Sequence, residues 1–298
     1  MVLGGIVTGL ISAVGGGLAN VAITLASRRI GVLLVYVGAQ LAAFATILLV
    51  AVVVGESIAP EGALPLTGLG IAFISTFTYI AFFGALRLGP VSVVSPVVGA
   101  YGGIAVVLAL IFFDETISSV QGVAVVAAVA GVVMTSVSLD RQAMRLSLRG
   151  PGPALALAAT VGFAANVTAL AVIIREFGWL PSLVVWRFWM SLIALSILAI
   201  VLVWRRVREG RSVADTFAGI DRRLVGLILI AGMFDTIATV AIAVGLEISF
   251  AWLVGLLSSL GPMSGAVWGL ILFRERLTRV QVAGIVLLAT SLVILALA

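Results

Sequence analysis

The chain has 298 residues, of which 63% are hydrophobic and 10% charged, with a mean hydropathy of +1.33, whereas soluble domains carry roughly 25% charge. No soluble fold hides that much apolar surface, and the long unbroken apolar runs lack the alternation of barrel strands, so the chain reads as an all-α, polytopic membrane protein. The net charge of +5 comes from arginines alone, set between apolar runs, which carries no nucleic-acid meaning, and the absence of Cys and His excludes disulfides, thiolate nucleophiles, imidazole bases and the usual zinc ligands.

A span needs about 20 apolar residues. With charges, Pro and Gly as punctuation, ten spans are predicted, near 2–26, 32–54, 66–86, 91–112, 119–138, 152–174, 180–204, 223–246, 250–272 and 280–298. The first apolar run is longer than the core of a signal peptide and lacks a basic leader, so it is read as a helix of the mature protein.

The chain also repeats itself. Gly17-Leu18-Ala19-Asn20-Val21 in the first span resembles Phe163-Ala164-Ala165-Asn166-Val167 in the sixth, 146 positions later. Phe112-Phe113-Asp114-Glu115-Thr116 with Val120-Gln121 matches Leu272-Phe273-Arg274-Glu275-Arg276 with Val280-Gln281, 160 positions later. The longer polar connection from Arg205 to Arg223 accounts for the difference. Residues 1–140 and 150–298 are thus two repeats of five helices, and an odd number of spans per repeat makes the halves inverted. Loop arginines accumulate on the cytoplasmic side. The connections after the first, third, fifth, seventh and ninth spans hold 15 of the 17 arginines, while the others hold Arg175 with Glu56, Glu61, Asp114, Glu115, Glu176 and Glu247. The odd connections are therefore expected to face the cytoplasm and both termini the outside.

Ala85-Leu86-Arg87-Leu88-Gly89-Pro90-Val91-Ser92-Val93-Val94-Ser95-Pro96, with the apolar run ending at Asp114-Glu115, resembles the EamA-type half of the drug/metabolite transporter (DMT) superfamily. Ala243-Val244-Gly245-Leu246-Glu247, Gly261-Pro262 and Phe273-Arg274-Glu275-Arg276-Leu277 repeat that pattern more loosely. The resemblance covers nearly the whole chain and marks fold rather than substrate. It implies a transporter in the cytoplasmic membrane that exports amino acids, drugs or other metabolites. Family members of ten helices are expected to keep both termini in the cytoplasm, and the arginine distribution argues the reverse.

Ionisable groups inside a span are expensive and default to a functional reading. Two stand out, Arg187 and Asp235, each roughly 10–12 Å below the outer boundary, a depth at which they could pair. Asp235 facing a cavity would bind a substrate ammonium or take a coupling proton. The bland reading is a buried structural ion pair, or an arginine that snorkels outward past Trp186 and Trp189. In the first repeat their places are held by Gln40 and Ser75. Asn20 and Asn166 sit at matching places and either meet a ligand or hold neighbouring helices together. Thr76, Thr78 and Tyr79 align with Thr236 and Thr239, giving two spans matched polar faces. Spans four and nine are interrupted by Pro96, Gly99, Gly102 and Gly103 and by Gly261, Pro262 and Gly265, the pattern of broken helices at a midplane site, with tight packing of small residues as the alternative. Tyr101, Ser258 and Ser259 lie beside these breaks.

The expectation is a secondary transporter working by alternating access around a midplane cavity, with a small-molecule substrate, a coupling proton or counter-substrate, and no cofactor. There is no Gly-rich loop followed by Lys for a nucleotide motor. An enzyme is disfavoured, since no acidic cluster lies at a cytoplasmic face and only one Asp lies within a span. A channel, a lipid scramblase or a structural subunit is the alternative.

Overall fold

The computed structural model describes residues 2–88, 94, 97–136, 151–210, 212–262 and 279–297. The helices are α1 (Val2–Ile30), α2 (Val32–Val54), α3 (Leu64–Leu88), α4 (Tyr101–Phe112), α5 (Ser119–Ser136), α6 (Gly152–Phe177), α7 (Trp179–Glu209), α8 (Arg222–Ile248), α9 (Ala251–Ser258) and α10 (Arg279–Leu297), with a five-residue helix at Val213–Phe217. Among the described residues, six helices, α1, α2, α3, α6, α7 and α8, are long and apolar enough to cross a membrane, and α4 and α5 are shorter apolar helices. Large apolar side chains cover the outside of the bundle as well as its core. Val52, Val53, Leu66 and Val123 lie outside, each more than two-thirds exposed, while Gln40, Ser75, Thr76, Asn166 and Arg187 are buried. An apolar belt around a largely apolar core that also encloses these polar groups suits lipid as the surrounding solvent.

Single glycines separate α1 from α2 and α6 from α7. Gly31 has φ 90° and Gly178 φ 83°, a region that L side chains avoid, so each junction reverses the chain within one residue. The α7 helix runs five residues beyond its predicted end, through Arg205, Arg206 and Arg208, because arginines in a last turn complement the negative end of the helix dipole. The polar connection that follows is partly helical too, with Ser212 and Asp215 forming a reciprocal capping box.

Helix packing respects the repeat. α1 packs on α8 as α3 packs on α6, α2 on α8 as α7 on α3, and α1 on α9 as α6 on α4, whereas α2 with α7, α4 with α9 and α5 with α10 pair across the axis. The equivalent helices run in opposite directions. α1 begins beside Ile248, at Gly4, and ends with Ile30 beside Gly219; α6 begins with Leu155 beside Gly84 and ends with Phe177 beside Gly62. One end of the bundle therefore gathers the start of α1 with the α2–α3, α4–α5, α6–α7 and α8–α9 connections, and with them Glu56, Glu61, Asp114, Glu115, Glu176 and Glu247. The opposite end gathers Arg28, Arg29, Arg87, Arg205, Arg206, Arg208, Arg222 and Arg223. Pro96, Gly265 and the arginines at 141, 145, 149, 211, 274 and 276 lie outside the described residues.

Candidate functional site

Where α2, α7 and α8 meet, the Arg187 guanidinium is enclosed, with 1% of its side chain exposed. Enclosing a cation among apolar helices costs several kcal/mol unless its donors are used, and here they are. One terminal nitrogen donates to Gln40 Oε1 at 2.8 Å; the other donates to Asp235 Oδ2 at 2.5 Å and to Thr239 Oγ1 at 2.7 Å. The guanidinium also lies over the Trp186 ring, 4.6 Å from its centroid. Arg187 therefore does not snorkel outward; it pairs with Asp235, as the common depth of the two residues allows.

Asp235 is not enclosed to the same degree. Its side chain is 15% exposed, and its second oxygen receives only a long contact from the Tyr79 hydroxyl at 3.5 Å. Its repeat counterpart Ser75 is closed off completely. Trp186 Nε1 donates to Ser75 Oγ at 2.8 Å, and Asn166 bonds the same hydroxyl. Asn20, the counterpart of Asn166, makes no side-chain hydrogen bond among the described residues and faces open space.

That space is a cavity of about 80 Å³ between the repeats, bounded by α1, α3, α4, α6, α7, α8 and α9. Of the residues expected from sequence to bind substrate, Asn20, Tyr79, Tyr101, Asn166, Asp235, Thr239 and Ser258 line it, together with Gly261 and Pro262 of the second helix break. Three of the expected binding residues do not. Thr76 is buried and receives the Tyr36 hydroxyl at 3.0 Å, Ser259 is buried against Gly102 with its hydroxyl on the Leu256 carbonyl at 2.6 Å, and Arg187 lies behind Asp235. Among the glycines, Gly103 packs on Val129 of α5, while Gly102 is the close approach that admits Ser259. The helix interruptions fall at equivalent places, a turn at Ala100 just after Gly99 and another at Ser259-Leu260 just before Gly261.

The model of the EamA-like transporter family matches residues 3–137 and again 150–297. The chain belongs to the EamA-like transporter family. A crystal structure of 17% sequence identity superposes with a TM-score of 0.65 over 96% of each chain, which shows a shared fold. No curated protein matches the sequence. The two matched segments of this EamA-like chain divide it where the packing symmetry does, and the cavity lies between them.

Sequence reading missed several residues that build this EamA-like interior. Gln40 and Ser75 were aligned with Arg187 and Asp235, yet their roles as direct partners of Arg187, and of Trp186 and Asn166, depend on helix rotation. Phe163 forms the middle of an aromatic wall, 5.2 Å from Tyr79, 5.4 Å from Phe82 and 5.6 Å from Tyr101 by ring centroids. Glu115 proves to be a clamp at the acidic end of the bundle. Its carboxylate accepts from the first free N–H groups of α9, Ala251 N at 2.9 Å and Trp252 N at 3.1 Å, and from Arg175 at 2.5 Å. The signal for it was present in the recurrence of the Phe-Asp/Arg-Glu motif, which marks matching junctions in the two repeats.

Proposed function

We propose that the chain is a secondary transporter of ten spans, with residues 1–140 and 150–298 as its inverted repeats, which carries a small organic molecule, an amino acid or a drug-like metabolite, across the cytoplasmic membrane by alternating access. The observation that carries this reading is the cavity between the repeats. It is walled by helices of both halves, it holds an ionised side chain whose countercharge is buried behind it, and it sits beside paired helix interruptions that supply a hinge. The arginine-rich end of the bundle faces the cytoplasm in this reading, which puts both termini outside. Export follows from the family resemblance, and a proton or a counter-substrate supplies the drive.

The test is release from proteoliposomes loaded with a defined mixture of amino acids, amines and nucleosides and read by mass spectrometry. A carrier gives saturable release of a subset, stimulated by the same compound outside. Release of every compound without saturation, or an ion conductance, contradicts the reading and favours a channel.

A further inference from the structure

Resting on the reading of the cavity as the transport site, we propose that its substrate is a small ammonium-bearing molecule with an apolar body of about one ring, recognised at the gap between Asn20 and Asp235. The argument begins with broken symmetry. In one half of the repeat relation Asn166 of α6 closes on Ser75 of α3, and in the other half Asn20 of α1 does not close on Asp235 of α8. Both Asn20 and Asp235 border the cavity, and an amide left without partners in an apolar bundle is costly unless water or a ligand fills the gap. Ser12 of α1 lines the same wall and likewise makes no side-chain hydrogen bond among the described residues.

The charges select the sign of the ligand. The Arg187 donors are taken up by Gln40, Asp235 and Thr239, and Arg187 itself does not line the cavity, whereas the Asp235 oxygen that Arg187 leaves free is approached by Tyr79, another residue of the cavity lining. A ligand thus meets the negative end of the ion pair, and among the described residues no arginine lines the cavity to receive a carboxylate or phosphate. Tyr79 joins the Asp235 carboxylate to the aromatic cluster around Phe163, and aromatic rings favour an apolar body and also an adjacent cation. The repeats differ here as well, with Phe163, Tyr101 and Tyr79 standing where the inverted half has Gly17, Gly261 and Thr239. One wall is consequently aromatic and the other small and polar. A volume of about 80 Å³ is well below the ~300–1,000 Å³ of drug-sized sites.

Three ligands that share a ring and differ in the head group test this: 2-phenylethylamine, 2-phenylethanol and 3-phenylpropionate, titrated calorimetrically into the full-length protein in nanodiscs. The amine is expected to bind saturably and about tenfold or more tighter than the alcohol, the difference made by charged hydrogen bonds, with the acid weakest. Asn20→Ala is expected to remove most of the amine's advantage while leaving alcohol binding within about twofold. Asp235→Asn strands the Arg187 cation and risks misfolding, so Tyr79→Phe serves as the second variant, with a loss of a few-fold for the amine only. Failure of the amine to bind, equal binding of all three, preference for the acid, or an unchanged amine affinity in Asn20→Ala overturns the proposal. The transport reading is judged separately by release from proteoliposomes: saturable, trans-stimulated release of some other compound leaves it standing when the amine fails, and its absence for every compound sinks it whichever ligand binds.

Discussion

Gln40 and Arg187 occupy the same position in the two repeats, and they bond each other at 2.8 Å across the axis that relates them. A residue that meets its own counterpart must lie on that axis, so this bond marks the centre of the molecule. The centre is polar because the second repeat carries a charge there that both halves hold, Gln40 from the first and Asp235 and Thr239 from the second: Arg187 and Asp235 stand where the first repeat has Gln40 and Ser75.

The first prediction concerns that charge pair. Asp235→Asn leaves the guanidinium buried without its carboxylate and is expected to lower stability by about 3–5 kcal/mol. The double substitution Arg187→Gln with Asp235→Ser, which restores the first repeat's own residues, removes both charges and is expected to recover most of that loss. Thermal unfolding in detergent, followed by size-exclusion chromatography, distinguishes them. A double variant no more stable than Asp235→Asn contradicts this account of the pair.

How far the sequence foretold this arrangement differs between levels. The edges of α2 and α8 fall within two residues of their predicted limits, because charge and glycine end apolar runs abruptly. The Arg187–Asp235 pair was legible from depth alone, since rise per residue fixes height in the bundle. Rotation about each helix axis was not legible. These helices are apolar nearly all round, so no polar stripe shows which side turns inward. Thr76 and Ser259 illustrate the consequence: a hydroxyl can be satisfied by a neighbouring tyrosine or a carbonyl of its own helix, and polarity in a span does not by itself mean access to a cavity.

Helix contact gives the second prediction. A Cβ at Gly232 would stand 2.8 Å from the Ala39 carbonyl oxygen and 2.9 Å from Ala43 N, both backbone atoms of α2 that cannot move aside. Gly232→Ala is expected to force α8 off α2 at a cost of about 1–3 kcal/mol. Gly226→Ala in the same helix, where nothing lies within 4 Å, is expected to be neutral or to stabilise by up to about 1 kcal/mol. Equal melting temperatures for the two variants contradict the close approach.

The third prediction addresses the clamp at the acidic end. Glu115→Ala strips α9 of its N-terminal acceptor and Arg175 of its ion-pair partner, at an expected cost of about 1–2 kcal/mol. Glu115→Gln keeps one carbonyl acceptor and is expected to lose about half as much. Differential scanning fluorimetry gives the ranking, wild type above Gln above Ala. An Ala variant as stable as the wild type shows that the carboxylate holds nothing in place.

Alternating access is tested most directly at Asn20. The chain has no cysteine, so Asn20→Cys introduces a single thiol at the cavity. A membrane-impermeant maleimide is applied to sealed vesicles of each orientation, with lipid-facing Val52→Cys as the inaccessible control. The account predicts labelling of residue 20 from both sides, with saturating substrate changing the ratio between them. Labelling from one side only under every condition, or from neither, contradicts a cavity that opens alternately to the two faces of the membrane.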